Sequence, residues 1–333
     1  MTDLLVEVTR NGHVESRHRI SAAVVDESGR LVASSGDPGL VTFWRSAAKP
    51  FQALPLVQDG AADRFGFGPR ELALACASHS SEPHHLEVCE GMLRAIGCDE
   101  AELACGPHPP LYQAVADRVV REGITVTPRW NNCSGKHSGM LAQCRHRGWP
   151  TQGYNQRGHP LQERLLDEVV RWTDCPRERI LQVVDGCTAV CFGLPLRNMA
   201  LSFARLGVSS DAAVDRLRQA MWAHPELVAG TGRLCTDLMS AGRGTVLAKV
   251  GAEGVYSAAY APLGLGIALK VEDGTSRASP PALLGILRQV VERLAPGTPL
   301  PFGGLETHAE PPIKNTRGEV VGSIHVAGQL RFG

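Results

Sequence analysis

The stretch GTVLAKVGAEGVYSAAYAPLGLGIALKVED, residues 244–273, carries the clearest fold signal in the chain. It contains three short runs of apolar and β-branched residues, and glycine-containing segments separate these runs. Short runs of this kind, bounded by turn residues, are typical of antiparallel strands joined in a meander. The stretch therefore predicts three consecutive strands in the C-terminal part of the chain.

The N-terminus carries a matching strand pattern. LLVEVTR (4–10) alternates in polarity, and ISAAVVDESGRLVAS (20–34) predicts two strands joined by an Asp-Glu-Ser-Gly-Arg turn. Near the other end, PPALLGILRQVVERL (280–294) predicts a helix and EVVGSIHVAG (319–328) predicts a further strand. Strands therefore lie at both ends of the chain.

The middle of the chain predicts helices, because apolar residues recur there at helical spacing. The helical segments are AAKPFQALPLVQ (47–58), PRELALACAS (69–78), PHHLEVCEGMLRAIG (83–97), LYQAVADRVVREG (111–123), HPLQERLLDEVVRWT (159–173) and SSDAAVDRLRQAMWAHP (209–225). We predict a mixed α/β (α+β) fold in a single domain, 1–333. The terminal strands would pair in one antiparallel sheet covered by helices, and a helical lobe at about 48–240 would be inserted between them. The active site is expected in the cleft between lobe and sheet edge.

Composition limits the kinds of molecule that the protein is expected to bind. Lys plus Arg and Asp plus Glu each number 34, so the formal net charge is zero and neither nucleic acid nor an anionic membrane is expected to bind. The first twenty residues lack the pattern of a secretory signal, which predicts a cytoplasmic protein. Ten cysteines in such a protein are not expected to form disulfides. The expected partner is a small molecule.

The segment RSAAKPFQALPL contains Ser46 and Lys49, three residues apart at the opening of a predicted helix. Residues at this spacing share a helix face, so the amine can reach the hydroxyl. A lysine with a lowered pKa can activate a serine as nucleophile. Serine β-lactamases combine S-x-x-K with a later K-T-G strand, and Lys249-Val-Gly251 occupies that order here. Taken alone, K-x-G is better explained by a solvated strand lysine at Lys249.

The segment NNCSGKHSGM, residues 131–140, concentrates chemically active side chains. Cys133 and Lys136 fall on one helical turn, and a second cysteine, Cys187, lies in DGCTAVCFGLPL beside Asp185. Two thiolates from separate segments can bind Zn²⁺ with a third ligand, for which His137 is the conventional choice and Lys136 the unusual one. Alternatively, both cysteines are buried apolar residues and Lys136 binds a substrate carboxylate.

Six segments in this order resemble the asparaginase II family, the rhizobial-type, thermolabile L-asparaginases. They are WRSAAKPFQALP, ASHSSEPHH, NNCSGKHSGML, DGCTAVCFGLPL, GRLCTDLM and AKVGAEG, and the resemblance runs over most of the chain. It implies a fold similar to serine β-lactamases and glutaminases, a homodimer, and hydrolysis of L-asparagine to L-aspartate and ammonia.

The resemblance also implies residue roles. It assigns two Ser–Lys tandems, Ser46 with Lys49 and Ser78 with Lys249. It implies a zinc ion held by Cys133, Lys136 and Cys187, which favours the lysine over His137 as third ligand. The residues that match positions near the substrate are Arg45, His137, Asp185 and Cys235. Cys235 is expected in a glycine-rich loop beside the pocket.

Rival functions fall into two classes. A glutaminase, or another serine hydrolase on the same fold, would use the same tandems, and one methylene separates glutamine from asparagine. A non-catalytic zinc or thiol sensor would use Cys133 and Cys187 but leave Ser46, Lys49 and Lys249 without a role. Ammonia release from asparagine and glutamine, measured together with metal content, distinguishes them.

Overall fold

The structure is a computed structural model that describes residues 3–300 and 303–333. The strands in the described residues are β1 Leu5–Arg10, β2 His13–Asp26, β3 Leu31–Ser35, β4 Val41–Phe43, β5 Leu181–Val184, β6 Val190–Pro195, β7 Val246–Val250, β8 Val255–Tyr260, β9 Leu265–Val271, β10 Pro312–Lys314, β11 Val320–Ala327 and β12 Arg331–Phe332.

Of the helices in the same residues, seven lie between β4 and β5, four between β6 and β7, and two between β9 and β10. They are α1 Lys49–Gln58, α2 Ala61–Arg64, α3 Pro69–Ala75, α4 Pro83–Ile96, α5 Gln113–Glu122, α6 Ser134–Arg147, α7 Pro160–Thr173, α8 Leu196–Val208, α9 Ala212–Ala223, α10 Pro225–Val228, α11 Leu234–Gly242, α12 Ser279–Leu294 and α13 Glu306–Ala309. None of them is both long and apolar enough to span a lipid bilayer, within the part of the chain that the structure describes.

The chain divides into two compact units. The first contains the described residues of 1–47, 194–208 and 237–333, and the second contains 48–193 and 209–236. The chain therefore passes from one unit to the other four times, at 47/48, 193/194, 208/209 and 236/237. The predicted single domain with a lobe at 48–240 remains a prediction.

The first unit is built on a large antiparallel sheet. Its strands run in the order β10-β11-β1-β2-β9-β8-β7, with β3 paired to β2 and β12 paired to β3. Strands from both ends of the chain are neighbours, because β1 pairs with β11 and β2 pairs with β9. The predicted antiparallel pairing of N-terminal and C-terminal strands in a mixed α/β fold is confirmed.

Helices α8 and α12 cover this sheet. Strand β8 is buried at every position and β9 at all but one, so both faces of these strands are covered. Helix α8 packs on β2, β8 and β9. The closest approach is at Gly266 of β9, where a Cβ atom would lie 1.9 Å from the Ala200 carbonyl oxygen. Glycine is required there because any side chain would push the helix off the sheet.

The second unit is a helical bundle with a small strand pair. Helices α1, α3, α4, α6, α7 and α9 pack against one another, and β5 pairs antiparallel with β6. Helix α6 lies against α1, α3 and α4, and it is buried continuously from Ser134 to Cys144. A helix buried on all sides is the centre of its bundle. The segment between Cys133 and Met140 is therefore at the core of this unit.

Candidate functional site

Ser78 lies in a buried polar segment that follows α3. Residues 78–81 are all buried although each is a serine or a histidine. The Ser78 amide donates to the Val228 carbonyl oxygen at 3.0 Å, and the Ser78 carbonyl oxygen accepts from Arg233 Nη1 at 2.6 Å. The backbone of Ser78 is thus held at both its polar groups, which fixes the direction of its hydroxyl.

Lys49 begins α1 and directs its amine at this hydroxyl. The lysine is 1% exposed, and Nζ donates to Ser78 Oγ at 2.9 Å, to the Ala77 carbonyl oxygen at 2.5 Å and to Cys133 Sγ at 3.1 Å. Three hydrogen-bond acceptors therefore surround the amine. The S-x-x-K spacing predicts a contact between Lys49 and Ser46. The bond to Ser78 joins residues 29 positions apart, and sequence spacing gives no sign of it.

Cys133, Lys136 and Cys187 lie together beside Lys49. Cys133 occupies the N-cap position of α6 and Lys136 its first turn, while Lys136 Nζ donates to Cys187 Sγ at 2.9 Å. A hydrogen bond between the two sulfurs lowers the pKa of Cys187, with Lys136 adding to the effect, and raises the pKa of Cys133. Burial opposes charge on Lys136, but the Cys187 and Cys133 sulfurs outweigh burial and raise the pKa of Lys136. The group is a buried ammonium–thiolate pair with a neighbouring thiol.

A strained turn presents the Cys187 sulfur. Thr188 has a φ of 73°, which a β-branched residue rarely adopts. Its amide donates to the Asp185 carbonyl oxygen at 2.8 Å, and its hydroxyl donates to the Ala104 carbonyl oxygen at 2.8 Å and accepts from Asn155 Nδ2 at 3.0 Å. Surroundings that over-determine a strained residue in this way are typical of functional sites. Asp185 itself is half-buried in the same turn.

His137 is fully buried next to this group. Its Nδ1 accepts a hydrogen bond from the Tyr154 hydroxyl at 2.6 Å, since that hydroxyl already accepts from the Ala104 amide at 3.0 Å. Nε2 is buried and has no hydrogen-bond partner among the described residues. Burial, with help from the Lys136 charge, lowers the pKa of His137 to about 4. The imidazole is therefore neutral at physiological pH, and Tyr154 is a supporting residue that the sequence did not indicate.

Ser46 belongs to the first unit and lies in a short 3₁₀ helix, Arg45–Ala48. The preceding Trp44 is fully buried, and its Nε1 donates to Ser257 Oγ on β8 at 3.2 Å. Arg45 has a φ of 53°, the left-handed conformation that non-glycine residues seldom adopt. Arg45 and Ser46 are both half-buried. The turn is thus anchored to the sheet by Trp44 while the Ser46 side chain keeps access to solvent.

Lys249 also belongs to the first unit, on β7. It is fully buried, and Nζ donates to the Val250 carbonyl oxygen at 3.1 Å. Burial excludes the alternative of a solvated strand lysine. Two residues later, a Cβ atom on Gly251 would lie 2.9 Å from the Trp44 carbonyl oxygen. The end of β7 therefore lies against the segment that leads into Ser46.

Cys235 differs from its expected setting. It lies at the second residue of α11 and is 1% exposed, so the expectation of a glycine-rich loop position was wrong. The glycines end at Gly232, and Leu-Cys-Thr-Asp-Leu-Met continues as helix. Leu and Met favour the helix and Asp237 suits its first turn.

A second cluster is formed by Glu82, His84 and His85, whose potential metal-ligating atoms all lie within 4.8 Å of one another. Thr231 donates to both Glu82 oxygens, at 2.9 and 2.6 Å. His85 Nδ1 accepts from the Glu82 amide and Nε2 donates to the Glu226 carbonyl oxygen. Thr231 and Glu226 thus satisfy Glu82 and His85, whereas His84 Nε2 is buried without a hydrogen-bond partner among the described residues. The cluster lies at the N-terminus of α4, where the helix dipole disfavours a cation.

Together, these observations define a mixed α/β protein whose helical unit buries a serine–lysine–cysteine network. The sequence profile described as L-asparaginase II matches residues 6–326. The chain therefore belongs to the L-asparaginase II family.

Comparisons with individual proteins add little to this. No curated protein matches the chain. A solved structure titled "Crystal Structure Analysis of Mglu in its glutamate form" is similar over 85% of this chain and 62% of its own, with 15% identity and a TM-score of 0.36. The chain thus spans less than two thirds of that protein, and a similarity at this level supports no conclusion about fold family or function.

Proposed function

We propose that the protein is an L-asparaginase that hydrolyses the side-chain amide of L-asparagine to L-aspartate and ammonia. The observation that carries the proposal is the buried Lys49 amine, 2.9 Å from Ser78 Oγ and 3.1 Å from Cys133 Sγ, in a chain of the L-asparaginase II family. An unpaired lysine is costly to bury, so a buried amine that contacts only neutral oxygens and a sulfur indicates chemistry rather than stability.

Ser46 is the proposed nucleophile, with Lys49 as its base. Ser46 is half-buried in a strained turn, whereas Ser78 is 3% exposed and already bonded to Lys49. Ser46 Oγ attacks the amide carbon and its proton passes to the base; the C–N bond then breaks and nitrogen leaves as ammonia with that proton. Water opens the resulting ester, which releases aspartate and restores the serine. Backbone N–H groups would stabilise the oxyanion.

Ser78 and Lys249 form the second proposed tandem, and four residues are proposed to bind substrate. The buried state of Lys249 and the rigid Ser78 backbone support roles for both. Asp185 is half-buried and suits the substrate ammonium. The remaining proposed substrate residues are Arg45, His137 and Cys235.

Zn²⁺ is the proposed cofactor, held by Cys133, Lys136 and Cys187. The donor set fits the ion, since two sulfurs and an amine from two segments already contact one another. Bound zinc would supply positive charge that fixes substrate affinity. Lys136 must lose its proton to coordinate, so metal affinity should fall as pH falls.

Ammonia release from purified protein tests the proposal. We expect turnover of L-asparagine to exceed that of L-glutamine, and the opposite order would make the protein a glutaminase. Ser46→Ala should reduce kcat by at least about 10³-fold, whereas Ser210→Ala, at an exposed serine, should not. Near-normal turnover in Ser46→Ala would remove Ser46 as the nucleophile. A homodimer is also proposed from the family resemblance, and sedimentation analysis tests it.

A further inference from the structure

Arg233 is a half-buried arginine beside Ser78 with unused hydrogen-bonding capacity. Its Nη1 donates to the Ser78 carbonyl oxygen at 2.6 Å. A guanidinium carries five N–H donors, so most of them remain available. Among residues 3–300 and 303–333, no ion pair involves Arg233. Other half-buried arginines of this unit do bind carboxylates, as Arg164 binds Asp59 and Arg218 binds Asp215.

The segment that carries Arg233 is fixed against the Ser78 segment. The Thr231 amide and hydroxyl donate to the two Glu82 oxygens, at 2.9 and 2.6 Å. Ser80 Oγ donates to the Ala229 carbonyl oxygen at 2.9 Å. The guanidinium is therefore pre-positioned, which lowers the entropic cost of using it in recognition.

Neither Lys49 nor Arg233 forms an ion pair with a carboxylate among the described residues. Lys49 Nζ contacts two oxygens of neutral groups and the Cys133 sulfur. The nearby Glu82 carboxylate is engaged by Thr231. A guanidinium without an ion-pair partner among the described residues favours a negatively charged ligand group, and its planar shape matches a carboxylate best because it can donate two parallel hydrogen bonds.

We propose that Arg233 binds the α-carboxylate of the amino-acid substrate and so makes a free α-carboxylate the main determinant of substrate affinity. The inference rests on the proposed function, and it gives Arg233 the carboxylate contact that Arg45 could otherwise make. The guanidinium holds the carboxylate with its free N–H groups while Nη1 remains on the Ser78 carbonyl oxygen. Substrate recognition is thereby linked directly to the peptide of Ser78.

The turnover of three amides distinguishes a role of Arg233 in binding the carboxylate from a role in positioning Ser78. L-Asparagine has both α-substituents, succinamic acid keeps the carboxylate without the amine, and β-alaninamide keeps the amine without the carboxylate. In Arg233→Gln we expect kcat/KM to fall roughly 10- to 100-fold for the first two, mainly through KM, and to stay unchanged for β-alaninamide. Arg233→Lys should lose less of kcat/KM, and the loss should again be confined to the two amides that carry a carboxylate.

Arg216→Gln is the matched control, since Arg216 also donates to a backbone carbonyl oxygen of the second unit, that of Phe67 at 2.9 Å. It should affect all three amides equally or not at all. An equal loss on all three amides in Arg233→Gln would show that Arg233 only positions Ser78. A loss selective for carboxylates in Arg45→Gln, with none in Arg233→Gln, would move the role to Arg45. Either result overturns the proposal.

Calorimetric binding of L-aspartate and β-alanine, which is aspartate without its α-carboxylate, gives a readout that is independent of turnover. Wild type should bind aspartate at least about 10-fold more tightly than β-alanine, and Arg233→Gln should abolish the difference. If wild type shows this preference but releases no ammonia from asparagine, the proposed function fails and the Arg233 inference stands. If the preference is unchanged in the variant, the Arg233 inference fails.

Discussion

The Lys49 amine donates a hydrogen bond to the Ser78 hydroxyl across 2.9 Å, although 29 residues separate them. The bond forms because α1 and α3 both pack against α6, which brings the start of one helix to the segment that follows the other. The same amine reaches Cys133 at the N-cap of α6. One lysine thus connects the proposed Ser–Lys chemistry to the proposed metal site.

Lys49→Met should therefore abolish activity. Removal of the amine leaves Ser78 Oγ without this donor and the Ala77 carbonyl oxygen unsatisfied, and it removes the proposed base. We expect kcat for ammonia release to fall about 10²–10⁴-fold. Lys314→Met, at an exposed lysine of the first unit, is the control and should retain wild-type turnover. Activity within a few-fold of wild type in Lys49→Met would exclude Lys49 as the base.

Gly135→Ala should destabilise the protein, because α6 approaches α3 too closely there for a side chain. A Cβ atom at Gly135 would lie 2.4 Å from the Leu74 carbonyl oxygen, whereas one at Gly139 would lie 3.4 Å from Ala75 Cβ. We expect Gly135→Ala to lower the free energy of unfolding by about 1–3 kcal/mol, as overpacking does. Gly139→Ala should be neutral or stabilising.

Urea unfolding of both glycine variants measures this difference. Both variants carry a glycine-to-alanine change in α6, so the contribution of helix propensity to stability is the same in each. Equal stabilities for the two variants would show that α6 can move away from Leu74, and the close helix contact would then not be what fixes Cys133 beside Lys49.

Cys187→Ala should remove bound zinc. It deletes one sulfur of the proposed donor set, and breaking the thiol–thiolate pair leaves Lys136 without its 2.9 Å partner. We expect elemental analysis of protein purified with zinc to give about one ion per wild-type chain and a strong loss in the variant. Cys175→Ala, at another buried cysteine of the second unit, should keep its zinc. Equal metal contents in these proteins would contradict the assignment.

Acidification should lower stability through buried histidines. Burial, followed by the charge of His84, lowers the pKa of His85 to about 4, and burial lowers the pKa of His79 well below its ordinary value. Unfolding restores both to about 6.5. Below that pH the unfolded chain binds more protons than the folded chain, so the free energy of unfolding decreases as pH falls from about 6.5 to 4. His85 alone should cost about 2 kcal/mol at pH 5.

Melting temperatures at pH 7 and pH 5 measure this effect. At pH 7 both histidines are mainly neutral in the folded and in the unfolded state, so they do not lower the free energy of unfolding of wild type. His85→Gln should show a smaller drop between the two pH values than wild type, whatever its stability at pH 7. His13→Gln, at an exposed histidine, should show the wild-type drop. An unchanged drop in His85→Gln would mean that other groups cause the pH dependence.

Local sequence patterns determined most of the secondary structure. The meander at residues 244–273 forms β7, β8 and β9, and the predicted helix at 280–294 corresponds to α12. These elements could be predicted because alternation and helical periodicity reflect which side chains face the core. Cys235 was misplaced because glycines upstream suggested a loop, although the helix begins immediately after them.

The site depended on the tertiary structure. Sequence spacing could group Ser46 with Lys49 and Cys133 with Lys136, because those pairs share a turn of chain. It could not indicate that Lys49 contacts Ser78, that Tyr154 donates to His137, or that Arg233 lies at the Ser78 carbonyl. Such contacts arise from helix packing, in which residues far apart in sequence meet only after the bundle has formed. The sequence by itself therefore determined the elements and the reactive side chains, and the packing of α1, α3 and α6 decided which of those side chains touch.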